Sequence, residues 1–123
     1  MRMPSLLIAD RKAAHAAPVF VYLFTWETPV LGGKLKSPHA LEIPFVFETL
    51  HSAPFTGNSP ARFALADKMS RTWIAFARSG NPNNDAIPSW PAHSAESRPT
   101  MIFDEQCRVE NDPLGEERRA WGP

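Results

Sequence analysis

Pro18-Val19-Phe20-Val21-Tyr22-Leu23-Phe24-Thr25-Trp26 places eight residues in a row, after its proline, that are all β-branched, aromatic or leucine. A strand with one wet face alternates apolar and polar side chains, and this one does not. It therefore reads as a strand over 19–26 buried on both faces of a parallel sheet. Such a strand needs cover above and below and hydrogen-bonding neighbours on both edges. No other stretch of the chain has the same character, and a lone buried strand with open edges is an aggregation hazard rather than a fold. The natural sheet is accordingly expected to be completed by residues outside this chain.

Around that strand the chain divides into short elements. Upstream, residues 4–16 predict a helix with Pro4 in its first turn and Pro18 as its stop. Downstream, residues 27–39 contain two glycines, two prolines and a serine and read as a loop. Glu42-Ile43-Pro44-Phe45-Val46-Phe47 predicts a short helix, although periodicity alone leaves a strand open. Ser59 as N-cap and Pro60 at the first position open the best helix of the chain, with Leu65, Met69, Trp73, Phe76 and Ala77 as its stripe and Gly80-Asn81-Pro82 as its end. Residues 100–103 predict a short strand. Residues 113–121 predict a last helix, in which Glu116 and Glu117 precede Arg118 and Arg119, the charge order that suits a helix dipole.

The whole chain bounds the reading further. Its 123 residues allow one domain at most, and 43% apolar residues suffice for a core. Thirteen lysines and arginines balance thirteen acids, so no net field draws the chain to nucleic acid or to an anionic membrane. The longest apolar stretch, 13–26, is broken by His15 and Pro18 and falls short of the roughly 20 residues that cross a bilayer. Residues 1–12 hold no signal-peptide core. Cys107 is the single cysteine, which leans toward a reducing, cytoplasmic compartment without fixing it. One cysteine and scattered acids give no support for a metal site.

Two further stretches complete a pattern. Ser37-Pro38-His39-Ala40-Leu41-Glu42-Ile43-Pro44-Phe45-Val46-Phe47 follows the strand, and Trp73-Ile74-Ala75-Phe76-Ala77-Arg78-Ser79-Gly80-Asn81-Pro82-Asn83 precedes Trp90-Pro91 and Met101-Ile102-Phe103-Asp104. In this order, with Arg2-Met3-Pro4-Ser5 ahead of them, they resemble the type B carboxylesterases, the cholinesterase and bacterial carboxylesterase family. The resemblance covers essentially the whole chain. It implies an α/β class, with residues 1–123 as the carboxyl-terminal part of an α/β-hydrolase domain: a late sheet strand, a catalytic-histidine loop, a long helix, a short strand and a terminal helix. It also implies hydrolysis of small-molecule carboxylic esters by a serine, histidine and acid triad without a cofactor.

Within that resemblance His39 is the candidate catalytic residue. A serine hydroxyl is a weak nucleophile until a base takes its proton, and an imidazole can take it and return it to the leaving alkoxide. The fold orders its triad serine, acid, histidine, so both partners are expected in an amino-terminal part of the domain that this chain lacks. Gly57-Asn58-Ser59-Pro60-Ala61 imitates the G-x-S-x-G nucleophile elbow, but no strand leads into it and Ser59 follows the histidine; Ser59 reads as an N-cap. Gly32 and Gly33 read as turn glycines rather than an oxyanion loop. Glu42 reads as a carboxylate opening a short helix rather than the triad acid, and Trp73, Phe76, Phe45 and Phe47 as core. His15, His51 and His93 lack partners at ligand spacing. Two rivals stand beside the esterase reading: a catalytically dead, cholinesterase-like interaction domain, and a truncated product without function of its own.

Overall fold

The computed structural model describes residues 2–121. The expected strand is present as β1 (Val21–Phe24), and main-chain bonds carry its pairing outward on both sides: His93 N–H donates to Val19 O at 2.7 Å and Thr25 N–H to Phe103 O at 2.9 Å. Its neighbour is β2 (Pro99–Phe103), parallel to it in the register Val21↔Thr100 to Phe24↔Phe103. A third strand, β3 (Arg108–Asn111), pairs antiparallel with β2, giving the sheet order β1-β2-β3.

This corrects the reading of β1 as the lone buried strand. It is β2 that is buried on both faces: Met101 and Phe103 on one side and Thr100 and Ile102 on the other are at most 1% exposed. Five residues opening on a proline look too short to be a central strand. Pro99 sits at the first strand position, where a missing N–H is tolerated. β1 itself is half-buried, with Tyr22 exposed, and no described strand pairs with its other edge. β3 was not anticipated. Its Arg-Val-Glu-Asn sequence is that of an edge strand whose charges discourage further pairing, and one valine gives no period to detect.

The helices differ from expectation at their ends. α1 (Arg2–Ala13) begins before Pro4 and stops five residues short of Pro18, with Leu6 and Ala9 buried. α2 (Ile43–Val46) lies where the short helix was predicted. α3 (Ala61–Ser79) ends as predicted: Gly80 adopts φ 74°, a left-handed conformation that costs glycine little, and its N–H reaches Phe76 O at 2.7 Å. Its start differs, because the Ser59 hydroxyl caps nothing; the first turn closes on main-chain oxygens, Arg62 N–H to Ser59 O at 3.3 Å and Phe63 N–H to Pro60 O at 3.1 Å. The terminal helix is shorter than predicted, α4 (Gly115–Ala120). No helix of the described residues is long and apolar enough to cross a membrane.

One apolar cluster joins the layers. Leu41 and Phe45 from the α2 region, Leu65 and Met69 from α3, and Met101 and Phe103 from β2 meet in it, each at most 2% exposed. Of the aromatic residues expected in the core, Phe45 is fully buried and Trp73 packs against the cluster, but Phe47 and Phe76 are exposed. Phe76 stands edge-on to Phe20, 6.3 Å between centroids, over the half-covered strand β1 rather than over β2. That position explains its exposure.

A polar clamp ties α1 to the approach to β2. Asp10 at the helix's end receives His93 Nε2 at 2.8 Å and the Arg98 guanidinium at 3.2 Å, and the His93 side chain is fully buried. Burial works to raise the Asp10 pKa, but hydrogen bonds from His93 and Arg98 and their charge outweigh it, so the carboxyl lies below its usual value. A depressed carboxyl contributes stability above its unfolded value, about 3.9, and loses it as pH falls through the folded value. Asp10→Asn is therefore expected to cost about 1–3 kcal/mol near neutrality. The gap between wild type and variant in urea midpoint should close as pH drops below about 4; a gap constant down to strongly acidic pH would count against the clamp.

Candidate active site

Leaving β1, the chain reaches Trp26, 4% exposed, and Thr28, 1% exposed, and then makes a closed excursion. Thr28 N–H donates to Lys36 O at 3.0 Å, pinching residues 28–36 into a loop, and Lys36 Nζ pairs with Glu27 at 3.0 Å across two exposed side chains, an ion pair of small energetic weight. Within the loop Gly32 and Gly33 take φ of 64° and 75°, as turn glycines should, and Leu31 takes 54°. The Thr28 hydroxyl donates to Phe55 O at 2.5 Å and accepts from Val30 N–H at 3.2 Å, bolting this loop to residues 53–57.

Gly57 completes that bolt. Its backbone, φ 71° and ψ −158°, lies in a region open essentially to glycine alone, and a Cβ there would sit 2.5 Å from Pro29 Cγ. Gly57→Ala should thus destabilise the fold by about 1–3 kcal/mol from backbone strain, with the clash adding to it. Differential scanning calorimetry reads this, and an unchanged midpoint would mean that the two loops are not coupled.

After the pinch, the Ser37 hydroxyl donates to Phe24 O, the last carbonyl of β1, at 3.2 Å. Pro38, His39 and Ala40 then form a turn closed by Leu41 N–H to Pro38 O at 3.2 Å, with Ala40 at φ 67°. Leu41, 1% exposed, and Phe45, fully buried, anchor the far side; the Phe45 ring packs 5.2 Å from Phe24 and 5.0 Å from Trp26. His39 is exposed on this turn, beside the carboxyl end of a parallel strand, where sheets of this kind place their sites. Its ring makes no hydrogen bond or ion pair with the described residues. Glu42, three residues on, is half-buried and makes no side-chain cap for α2; its carboxylate instead acts on the Tyr22 hydroxyl. Burial first, then the negative charge of Glu42, push the Tyr22 pKa up.

The sequence profile of the carboxylesterase family matches residues 1–121. The chain belongs to the carboxylesterase family. Among curated relatives it is 38% identical over 126 residues to the para-nitrobenzyl esterase of Bacillus subtilis, covering 98% of this chain and 24% of that protein. It is 31% identical over 100 residues to human cocaine esterase, covering 78% and 18%. A solved para-nitrobenzyl esterase superposes with a TM-score of 0.87 at 34% identity over 98% of this chain and 25% of that one. The Geobacillus stearothermophilus carboxylesterase at pH 6.2 gives 0.80 at 45% identity over 94% and 24%. These structures have the α/β-hydrolase fold. The chain thus spans about a quarter of the length of the relatives it matches and carries a carboxyl-terminal portion of the family's sequence.

Against this carboxylesterase portion the remaining candidates sort plainly. Ser59 is exposed, and the segment leading to it is a single helical turn, Pro54–Thr56, rather than a strand, so it lacks the support of a nucleophile elbow. His15 is exposed, and His51 rests on Phe63, 5.1 Å between centroids. His93 does have a partner, Asp10, 83 residues away in sequence, which no spacing rule could find. Among the described residues no three histidines, cysteines or acids gather as a metal site. Burial raises the Cys107 pKa, leaving little thiolate and hence low reactivity. Sequence reasoning missed Ser37 and Thr28, whose roles rest on bonds to Phe24 and Phe55 rather than on any motif.

Proposed function

We propose that residues 1–123 supply the carboxyl-terminal part of a carboxylesterase domain and that His39 is its general base. The observation that carries this reading is an exposed imidazole on a pre-shaped turn beside the carboxyl end of a parallel strand, in a chain whose family relatives are ester hydrolases. The nucleophilic serine and the acid that orients His39 come from the amino-terminal part of the same domain.

In acylation His39 takes the serine proton as Oγ attacks the ester carbonyl, and gives it to the departing alkoxide when the tetrahedral intermediate collapses. In deacylation it takes a proton from water, whose oxygen attacks the acyl-enzyme, and returns it to the serine. The names of the relatives, para-nitrobenzyl and cocaine esterases, favour small-molecule carboxylic esters as substrates. Nucleophile and base suffice for this chemistry without a cofactor.

A chimera tests the proposal. Residues 1–123 replace the matching segment of the Bacillus subtilis para-nitrobenzyl esterase, and hydrolysis of p-nitrophenyl acetate is followed. The folded chimera should turn over, and the isolated chain should not. Turnover by the isolated chain, or a folded chimera without activity, would overturn the assignment.

A further inference from the structure

We propose that Ser37 is a positioning residue for His39, an inference that rests on the catalytic role proposed for that histidine. The last peptide of β1 sets the geometry. Thr25 N–H points at β2, donating to Phe103 O at 2.9 Å. In a trans peptide the oxygen and hydrogen point in opposite directions, so Phe24 O faces the other edge of the strand. The Ser37 hydroxyl takes that acceptor at 3.2 Å, two residues before His39.

The histidine turn is thereby tied to the sheet by a single side chain, at the point where the strand ends. On its far side the turn is held by Leu41 and Phe45, both sunk in the core, and the left-handed backbone of Ala40, φ 67°, fixes the direction in which the chain leaves His39. Between Phe24 O and Leu41 no other side chain binds the turn by a hydrogen bond among the described residues. Removing the hydroxyl leaves the core anchors intact and frees the amino-terminal side of the turn alone. The histidine then samples positions from which proton transfer is slower, while substrate binding and the fold are untouched. Ser37 acts through His39 and makes no contact with the reacting atoms.

The test is made in the active chimera with p-nitrophenyl acetate. Ser37→Ala should lower kcat about ten- to a hundredfold, the scale of a displaced catalytic group, with KM and the thermal midpoint unchanged. Ser37→Thr, which keeps the hydroxyl, should restore the rate, and Ser37→Val, isosteric with threonine but without the hydroxyl, should not; this pair makes the same comparison if the alanine variant folds poorly. An unchanged kcat in both Ser37→Ala and Ser37→Val, equal rates for the threonine and valine variants, or a fall in kcat matched by a fall in thermal midpoint would overturn the positioning role. Inactive His39→Ala beside fully active Ser37→Ala removes this inference alone, whereas active His39→Ala removes the catalytic reading beneath it.

Discussion

His39→Ala in the active chimera is expected to lower kcat for a p-nitrophenyl ester by roughly four to six powers of ten, the range seen when a triad member is lost elsewhere, with KM little changed. The size follows from the role proposed for His39. Without the imidazole the serine proton has no acceptor during attack and the leaving alkoxide no donor, so both chemical steps lose their catalyst while the pocket that holds the ester remains. Any residual rate over water comes from binding and oxyanion stabilisation. Folding is not at risk, because His39 is exposed and makes no polar bond within the described residues. Ser59→Ala is the matched control and should keep the full rate. A His39→Ala chimera within tenfold of the parent would remove His39 from the mechanism, and a Ser59→Ala chimera that dies would overturn the reading of Ser59 as a bystander.

The second large effect is on stability. Phe103 is fully buried, and its ring meets Tyr22 of β1 at 5.9 Å, Trp73 of α3 at 5.8 Å and Trp90 at 6.0 Å. It also pairs with Phe24 in the β1–β2 register. Truncating a buried phenylalanine costs about 3–5 kcal/mol, against about 5–15 kcal/mol for a whole native domain. Phe103→Ala should therefore unfold at a much lower urea concentration with an unaltered slope, while Phe103→Leu, nearer in volume, should lose far less. A loss below about 1 kcal/mol for the alanine variant would mean that the site collapses around the vacancy, and would contradict the packing described.

How much of this was legible depended on the range of the interaction. Pro18 to Trp26 announced a strand because its signal is local, and Gly80 announced the end of α3 because a left-handed cap needs a glycine. The position of His39 was legible through its following residues, Glu42-Ile43-Pro44-Phe45, and the structure shows why that run matters: Pro44 and Phe45 are the buried turn of α2 that anchors the loop. What could not be seen was decided at long range. β2 becomes central only because β1 and β3 flank it, and five residues opening on a proline do not carry that information. The half-exposed Phe76 followed the helical stripe faithfully, yet the stripe cannot say where the sheet's cover ends. Ser59 failed as a cap because Pro60 and main-chain oxygens close the first turn without its hydroxyl.

The parallel register of β1 and β2 also dictates an order of events during synthesis. Val21 meets Thr100, so the partner of β1 leaves the ribosome 79 residues after it (100 − 21). Loop closure over that distance adds only about 0.6 kcal/mol per doubling of length, so the final pairing is thermodynamically cheap, but it is obligatorily late. Until those residues have emerged, an apolar ribbon stands with its inner edge vacant, the condition under which nascent chains capture one another or a chaperone.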